Sequence, residues 1–92
     1  MEANDLQTLG DLAVGEPAQI VKIIGQGADD KPERINEVEL ERRLLEMGFL
    51  EGEEVEILHE GPVGRDPIAV RLGGMIIAIR RFEARAVIVK VE

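Results

Sequence analysis

The residues best suited to chemistry in this chain gather in two places. His59, Glu60 and Asp66 lie around one turn, and Glu54 and Glu56 precede them on the same extended run. One imidazole with several carboxylate oxygens is a donor set for a divalent first-row ion, iron included, held weakly because no thiolate or second imidazole joins it. The competing expectation is structural. His59 alternates with Val55 and Ile57, which predicts a half-buried, hydrogen-bonded histidine at a strand end. The second group is the arginines of the last third. Arg71, Arg80 and Arg85 are expected to project outward from strands, with Arg81 at the start of a final turn. Such side chains either cover strand faces with their aliphatic stems or form a docking patch for an acidic partner.

Other chemistries fail on inventory. The chain has no cysteine, which excludes thiol nucleophiles, disulfides and zinc ribbons. Thr8 is the sole hydroxyl of the Ser/Thr type and is distant in sequence from His59, so no Ser-His-Asp or Cys-His constellation can be assembled. The glycine-rich stretches at Gly25–Gly27 and Gly61–Gly64 lack the spacing of a phosphate-binding loop. The inventory thus predicts a protein that is not an enzyme.

The elements that must position these residues belong to one small domain. The 92 residues carry 45% hydrophobic and 33% charged side chains, the balance of a folded globular chain rather than a disordered one. Net charge is −8, and Tyr and Trp are absent, so neither phosphate neutralisation nor base stacking supports nucleic-acid binding. Charge is also uneven: residues 1–60 are net −11 and residues 61–92 net +3. This makes either two solvated faces or a bipolar surface that orients on a partner. The longest apolar run, Met75–Ile79, is far too short to span a membrane. No basic-then-apolar leader opens the chain, and the expected compartment is the cytoplasm.

Residues 1–7 are expected to be a flexible lead and residues 8–92 the domain. Leu9 and Leu12 suggest one helical turn closed by Gly15, and Ala18–Ile24 an extended run. Ile20 and Ile23 break its alternation, by a bulge or by burial of both faces. Asp30, Pro32 and Glu33 read as a helix start, with a body to Met47 and Gly48 at the left-handed position beyond its end. This helix carries two apolar stripes, Leu40/Leu44/Met47 and Ile35/Val38/Leu45; the second is either partly covered by a loop or the N-terminal lead or exposed for a partner or a second copy. Strands are expected at Glu53–Glu60, with His59 on the face of Val55 and Ile57, then at Pro67–Leu72, Met75–Arg81 and Ala86–Val91. Gly61–Asp66 is expected as a turn and Gly73-Gly74 as a type I′ hairpin. The fold class is therefore mainly β with one inserted helix: about five short strands that must curl into a small barrel to limit their edges.

In their order along the chain, Leu9-x-x-Leu12-x-x-Gly15, Ile20-x-x-Ile23, Arg43-Leu44-Leu45-Glu46-Met47-Gly48-Phe49, the turn Gly61-Pro62-Val63-Gly64-Arg65-Asp66-Pro67-Ile68, and Ile79-Arg80-Arg81-Phe82-Glu83-Ala84 resemble the FeoA family. The resemblance runs from about Leu9 to Glu92. It implies an SH3-like β-barrel with a helix between the first two strands, and a role as a cytoplasmic bacterial accessory of ferrous iron uptake. The implied partner is a FeoB-type membrane permease with a cytosolic GTP-binding domain, which would recruit the chain to the inner membrane face. This sequence departs from the family pattern at Arg65, which interrupts a Gly-Asp-Pro turn, at Glu51, which replaces a proline, and in a longer helix start through Lys31–Val38. The expected partner surface is a cleft between helix and barrel formed by Leu44, Met47, Phe49, Leu50, Pro62, Val63, Arg65 and Pro67, since apolar clefts with charged rims suit a partner's loop or helix. A second expectation is a metal-sensing module that binds a divalent ion weakly through His59, Glu60 and Asp66, because the same domain is fused to iron-dependent repressors of the DtxR type.

Overall fold

A computed structural model of the chain describes residues 6–24 and 37–92. Residues 1–5 of the expected lead, the loop Gly25–Asp30, the helix start at Asp30, Pro32 and Glu33, and Ile35 lie outside the described residues, as does the side chain of Val38. Among the described residues, six strands form one antiparallel sheet: β1 (Leu6–Thr8), β2 (Ala18–Ile23), β3 (Glu54–Val63), β4 (Asp66–Leu72), β5 (Met75–Ile79) and β6 (Val87–Val91). Their order is β1-β6-β2-β3-β4-β5, so the first and last strands of the chain are neighbours and β5 is the opposite edge. The sheet wraps around its core in the SH3-like manner without closing into a barrel.

One strand exceeds expectation. Leu6 and Gln7 of the expected lead join Thr8 in a three-residue edge strand on β6, pairing Leu6 with Lys90 and Thr8 with Ile88. It is too short for alternation to reveal. The next residues, Leu9–Asp11, make a 3-10 turn that buries Leu9, and Leu12 follows into the core. Gly15, at φ 85°, ends this segment and donates its N–H to the Ile57 carbonyl at 2.8 Å.

The irregularity of β2 is a bulge. Ile20 opposes Val89 and Lys22 opposes Ile88, so Val21 is the extra residue and Ile20 can be fully buried.

Helix α1 (Glu37–Met47) ends as its sequence dictates. Gly48 takes φ 107° and donates to Leu45, while Phe49 donates back to Leu44 at 3.1 Å. These two bonds are a Schellman motif, and they send Phe49 into the core with no exposed surface. Leu40 and Leu44 are buried and Met47 packs against the core, as the first stripe predicts. Leu45 of the second stripe is 43% exposed.

The third strand corrects two expectations. Ile57 opposes Val70, but His59 opposes Ala69, so two residues of β3 face one of β4 across a bulge at Leu58. The slip reverses the face. His59 leaves the side of Val55 and Ile57 and is exposed rather than half-buried. β3 also runs on to Val63, and the expected turn Gly61–Asp66 shrinks to the two residues Gly64 and Arg65 between the paired Val63 and Asp66. Both have positive φ, 69° and 61°, the type I′ pattern. At the next hairpin only Gly73 has positive φ, which is type II′ rather than I′.

In β4, Ile68, Val70 and Leu72 are buried as expected. In β5 the inward face fades along the strand: Ile79 is buried, Ile77 half-buried and Met75 exposed. A short helix α2 (Arg81–Ala84) leads into β6, whose Val87 and Val89 complete the core.

Candidate partner-binding site

The centre that holds the expected site residues is Arg81, which sequence alone placed only at the start of a turn. It is 7% exposed. Its Nε donates to the Arg65 carbonyl at 2.9 Å, one terminal nitrogen to the Gly10 carbonyl at 2.8 Å, and the other to Glu60 Oε1 at 2.7 Å. Its backbone N–H donates to Asp66 Oδ1 at 2.8 Å. One guanidinium thus ties α2 to the 3-10 turn, to β3 and to the β3–β4 hairpin. Each of its three guanidinium nitrogens has an acceptor, two carbonyls and a carboxylate, the condition under which a buried charge is tolerated. Gly10 permits the approach, since a Cβ there would lie 2.6 Å from the Arg81 carbonyl oxygen. Gly61 does the same beneath the hairpin, where a Cβ would overlap the Asp66 carbonyl.

Glu83 is the second buried charge. Its Oε1 accepts the Arg80 N–H at 3.0 Å, capping α2, and its Oε2 meets Arg43 of α1 at 3.3 Å. Arg85, just after α2, reaches Asp11 at 3.7 Å. The charged residues of α2 therefore act mostly as fasteners between elements. Arg71, Arg80 and Arg85 are exposed, as expected; Arg71 is held by Glu56 at 2.6 Å.

The structure divides the expected partner cleft. Leu44 and Phe49 have no exposed surface and belong to the core, so neither can touch a partner. Met47 is half-buried and Leu50 is 49% exposed. This end of α1 faces the β4–β5 hairpin, because a Cβ on Gly48 would meet Leu72 Cδ2 at 3.4 Å and Met75 Cε at 3.7 Å. Pro62, Val63, Arg65 and Pro67 are exposed at the other end of the β3–β4 ladder, which runs from Val55 opposite Leu72 to Val63 opposite Asp66. Val63 is 81% exposed, the most of any large apolar side chain described. The Arg81 network holds the base of this tip from beneath, through Glu60, Arg65 and Asp66.

The expected metal donors are not gathered. Glu60 and Asp66 both accept hydrogen bonds from Arg81, and His59 is on the outer face. Among the described residues no three His, Asp or Glu side chains are grouped to hold an ion, so this trio does not fit a metal centre. A groove of about 550 Å³ lies elsewhere, lined by Pro17, Gly52, Glu53, Glu54, Val55, Glu56, Arg71 and Gly73. Beside it, partial desolvation and the neighbouring Glu54 carboxylate raise the Glu92 carboxyl above its ordinary range. Among the described residues, no helix is long and apolar enough to cross a membrane.

Comparison with known proteins bears on this arrangement. Residues 7–91 match the FeoA domain family. No curated protein matches. Among solved structures, the chain is similar to the zinc complex of FeoA from Stenotrophomonas maltophilia, at 34% identity and TM-score 0.70, covering 91% of this chain and 89% of that one. It is also similar to a FeoA-like protein from Clostridium acetobutylicum, at 28% identity and TM-score 0.74, covering 95% and 87%. A manganese-dependent transcriptional repressor in complex with manganese shares the fold alone, at 14% identity and TM-score 0.71, over 95% of this chain and 37% of the repressor. The near-complete match, the 34% identity and the shared SH3-like fold lead to one conclusion: this chain belongs to the FeoA family.

Proposed function

We propose that this protein is a non-enzymatic cytoplasmic accessory of ferrous iron uptake that binds and modulates the cytosolic part of a FeoB-type permease, recruited by it to the inner membrane face. The observation that carries the reading is the family match over residues 7–91. The Stenotrophomonas maltophilia relative has been put forward as a procaryotic SH3 domain protein and a bacterial ferrous iron transport activating factor, and it is similar over nine-tenths of this chain. The contact surface we assign is the hairpin tip, Pro62, Val63, Arg65 and Pro67. An exposed apolar side chain beside an arginine, on a tip fastened from beneath, is a preorganised contact of the kind that anchors interfaces. Cells lacking this chain should take up radiolabelled ferrous iron more slowly than the wild type. Restoring the native chain should recover the rate, and Val63→Asp should not, despite a native fold. Unchanged uptake in the deletion strain, with the permease active, would refute the role.

A second reading, weak divalent-metal binding, is favoured by the zinc complex of the same relative. In this chain it would rest on His59 at the surface, without Glu60 and Asp66. Titration calorimetry with ferrous or zinc ion, repeated on His59→Ala, decides it; binding unchanged by the substitution removes His59 from the reading.

A further inference from the structure

Strand β5 is an edge without the usual guards. Among the described residues it pairs only with β4, in an unbroken register from Met75 opposite Leu72 to Ile79 opposite Ile68. Its sequence, Met75-Ile76-Ile77-Ala78-Ile79, holds no charge and no proline, and its ladder has no bulge. Charges, prolines, bulges and shortness are the devices that normally stop an edge from accepting another strand. The opposite edge, β1, has one of them, being only three residues long and ending in Gln7 and Thr8. On β5, by contrast, Ile76 is 67% and Met75 52% exposed.

We infer that β5 is the seam of a reversible, symmetric dimer, in which it pairs antiparallel with the β5 of a second copy about a two-fold axis at Ile77. That register sets Ile77 opposite itself, Met75 opposite Ile79 and Ile76 opposite Ala78, so every pair along the seam is uncharged and no like charges meet. The flanks are complementary in charge. Arg80 follows β5 and is exposed, and this register brings it beside the partner's Gly74. The Glu53 side chain lies at the adjacent glycine, with Oε1 3.4 Å from where a Cβ on Gly73 would stand. Each copy therefore offers Arg80 to the partner's Glu53, and symmetry makes the contact twice. A foreign strand would have to supply an uncharged apolar stretch, an acid at one end and a base at the other; this chain supplies all three. The seam is short, which places the dimer among small, transient interfaces below about 1,200 Å². The inference does not depend on the role in iron uptake.

Sedimentation equilibrium of the full chain over a range of concentrations tests it. A monomer–dimer equilibrium is expected, with Ile76→Lys weakening association roughly tenfold or more while the thermal transition stays native. Arg80→Glu and Glu53→Arg should each weaken it, and the double exchange should restore it; this arm decides the question even if Ile76→Lys fails to fold. A chain that stays monomeric up to about 1 mM, where binding is worth only about 4 kcal/mol, overturns the inference. So does a dimer indifferent to all these substitutions. A monomeric chain whose capture of the FeoB-type cytosolic domain is lost on Ile76→Lys also overturns it, by assigning the edge to that partner.

Discussion

Arg81 shows how much one side chain can hold when its partners come from far along the chain. Its donors satisfy the carbonyls of Gly10 and Arg65 and the carboxylate of Glu60. Removing it leaves the buried Gly10 carbonyl without its donor and takes the part-buried Arg65 carbonyl and Glu60 carboxylate off theirs, a loss on the order of 3 kcal/mol. Arg81→Ala should therefore lower the urea midpoint strongly, whereas Glu60→Gln, which keeps an acceptor on a partly exposed side chain, should cost on the order of 1 kcal/mol. A loss below about 1 kcal/mol for Arg81→Ala would show that the network is incidental. None of this was legible in sequence. Arg81 looks like its neighbours Arg80 and Arg85, and burial is decided by residues 10, 60, 65 and 66 meeting in space. The outward turn of His59 is hidden for a related reason: the bulge that causes it depends on the register with β4, which local alternation does not reveal.

The Glu54–Glu92 pair gives a prediction with a definite sign. Glu92 is raised by desolvation and by the Glu54 carboxylate. Its protonated form is thus favoured in the folded protein. Stability from that proton is fully present below the ordinary glutamate range and is lost as pH rises through the raised folded value. Glu92→Gln should increase the thermal midpoint at pH 7 and leave it unchanged at a pH low enough to protonate both carboxyls. An equal effect at both pH values would contradict the pairing.

At the scale of elements, two glycines separate two kinds of necessity. Gly48 closes α1 at φ 107°, and a Cβ there would meet only ordinary contacts at 3.4 Å or more. Gly48→Ala should therefore cost about 1 kcal/mol, the backbone term alone. Gly10 is not in the left-handed region, yet its Cβ would lie 2.6 Å from a backbone oxygen and 2.7 Å from Arg85 Cγ. Gly10→Ala should be the more destabilising change, because the oxygen belongs to the fastened turn of α2. Paired chemical denaturation curves check the order, and the reverse ranking would contradict the close packing of α2 on the 3-10 turn. The end of α1 and the inward face of β4 are readable because their signals are local: a glycine after a helical stripe, and strict alternation; the expected strand Met75–Arg81 instead stops at Ile79, where α2 takes over from Arg81. β1 is not readable, since three residues carry no period, and neither is the division of the partner cleft, since Leu44 and Phe49 look as available in sequence as Leu50.

Over the whole molecule, the sheet order explains why an incompletely closed fold can still present a rigid surface. β1 beside β6 fastens the first described strand to the last, and Arg81 and Glu83 fasten α2 to the 3-10 turn, the hairpin and α1. The fold class and the family were legible from the ordered motifs, and the SH3-like likeness extends to a repressor at only 14% identity, so fold alone does not carry function here. The proposed accessory role is distinguished by the surface on which the chain would meet a transporter. The most direct test is an amide NMR titration of the labelled full chain with the cytosolic domain of its cognate FeoB-type permease, with guanine nucleotide present. Shifts concentrated at Val63, Gly64, Arg65 and Asp66 are expected, and their loss in Val63→Asp. Unmoved resonances at about 1 mM partner, or shifts that leave the hairpin tip untouched, would contradict the proposed role.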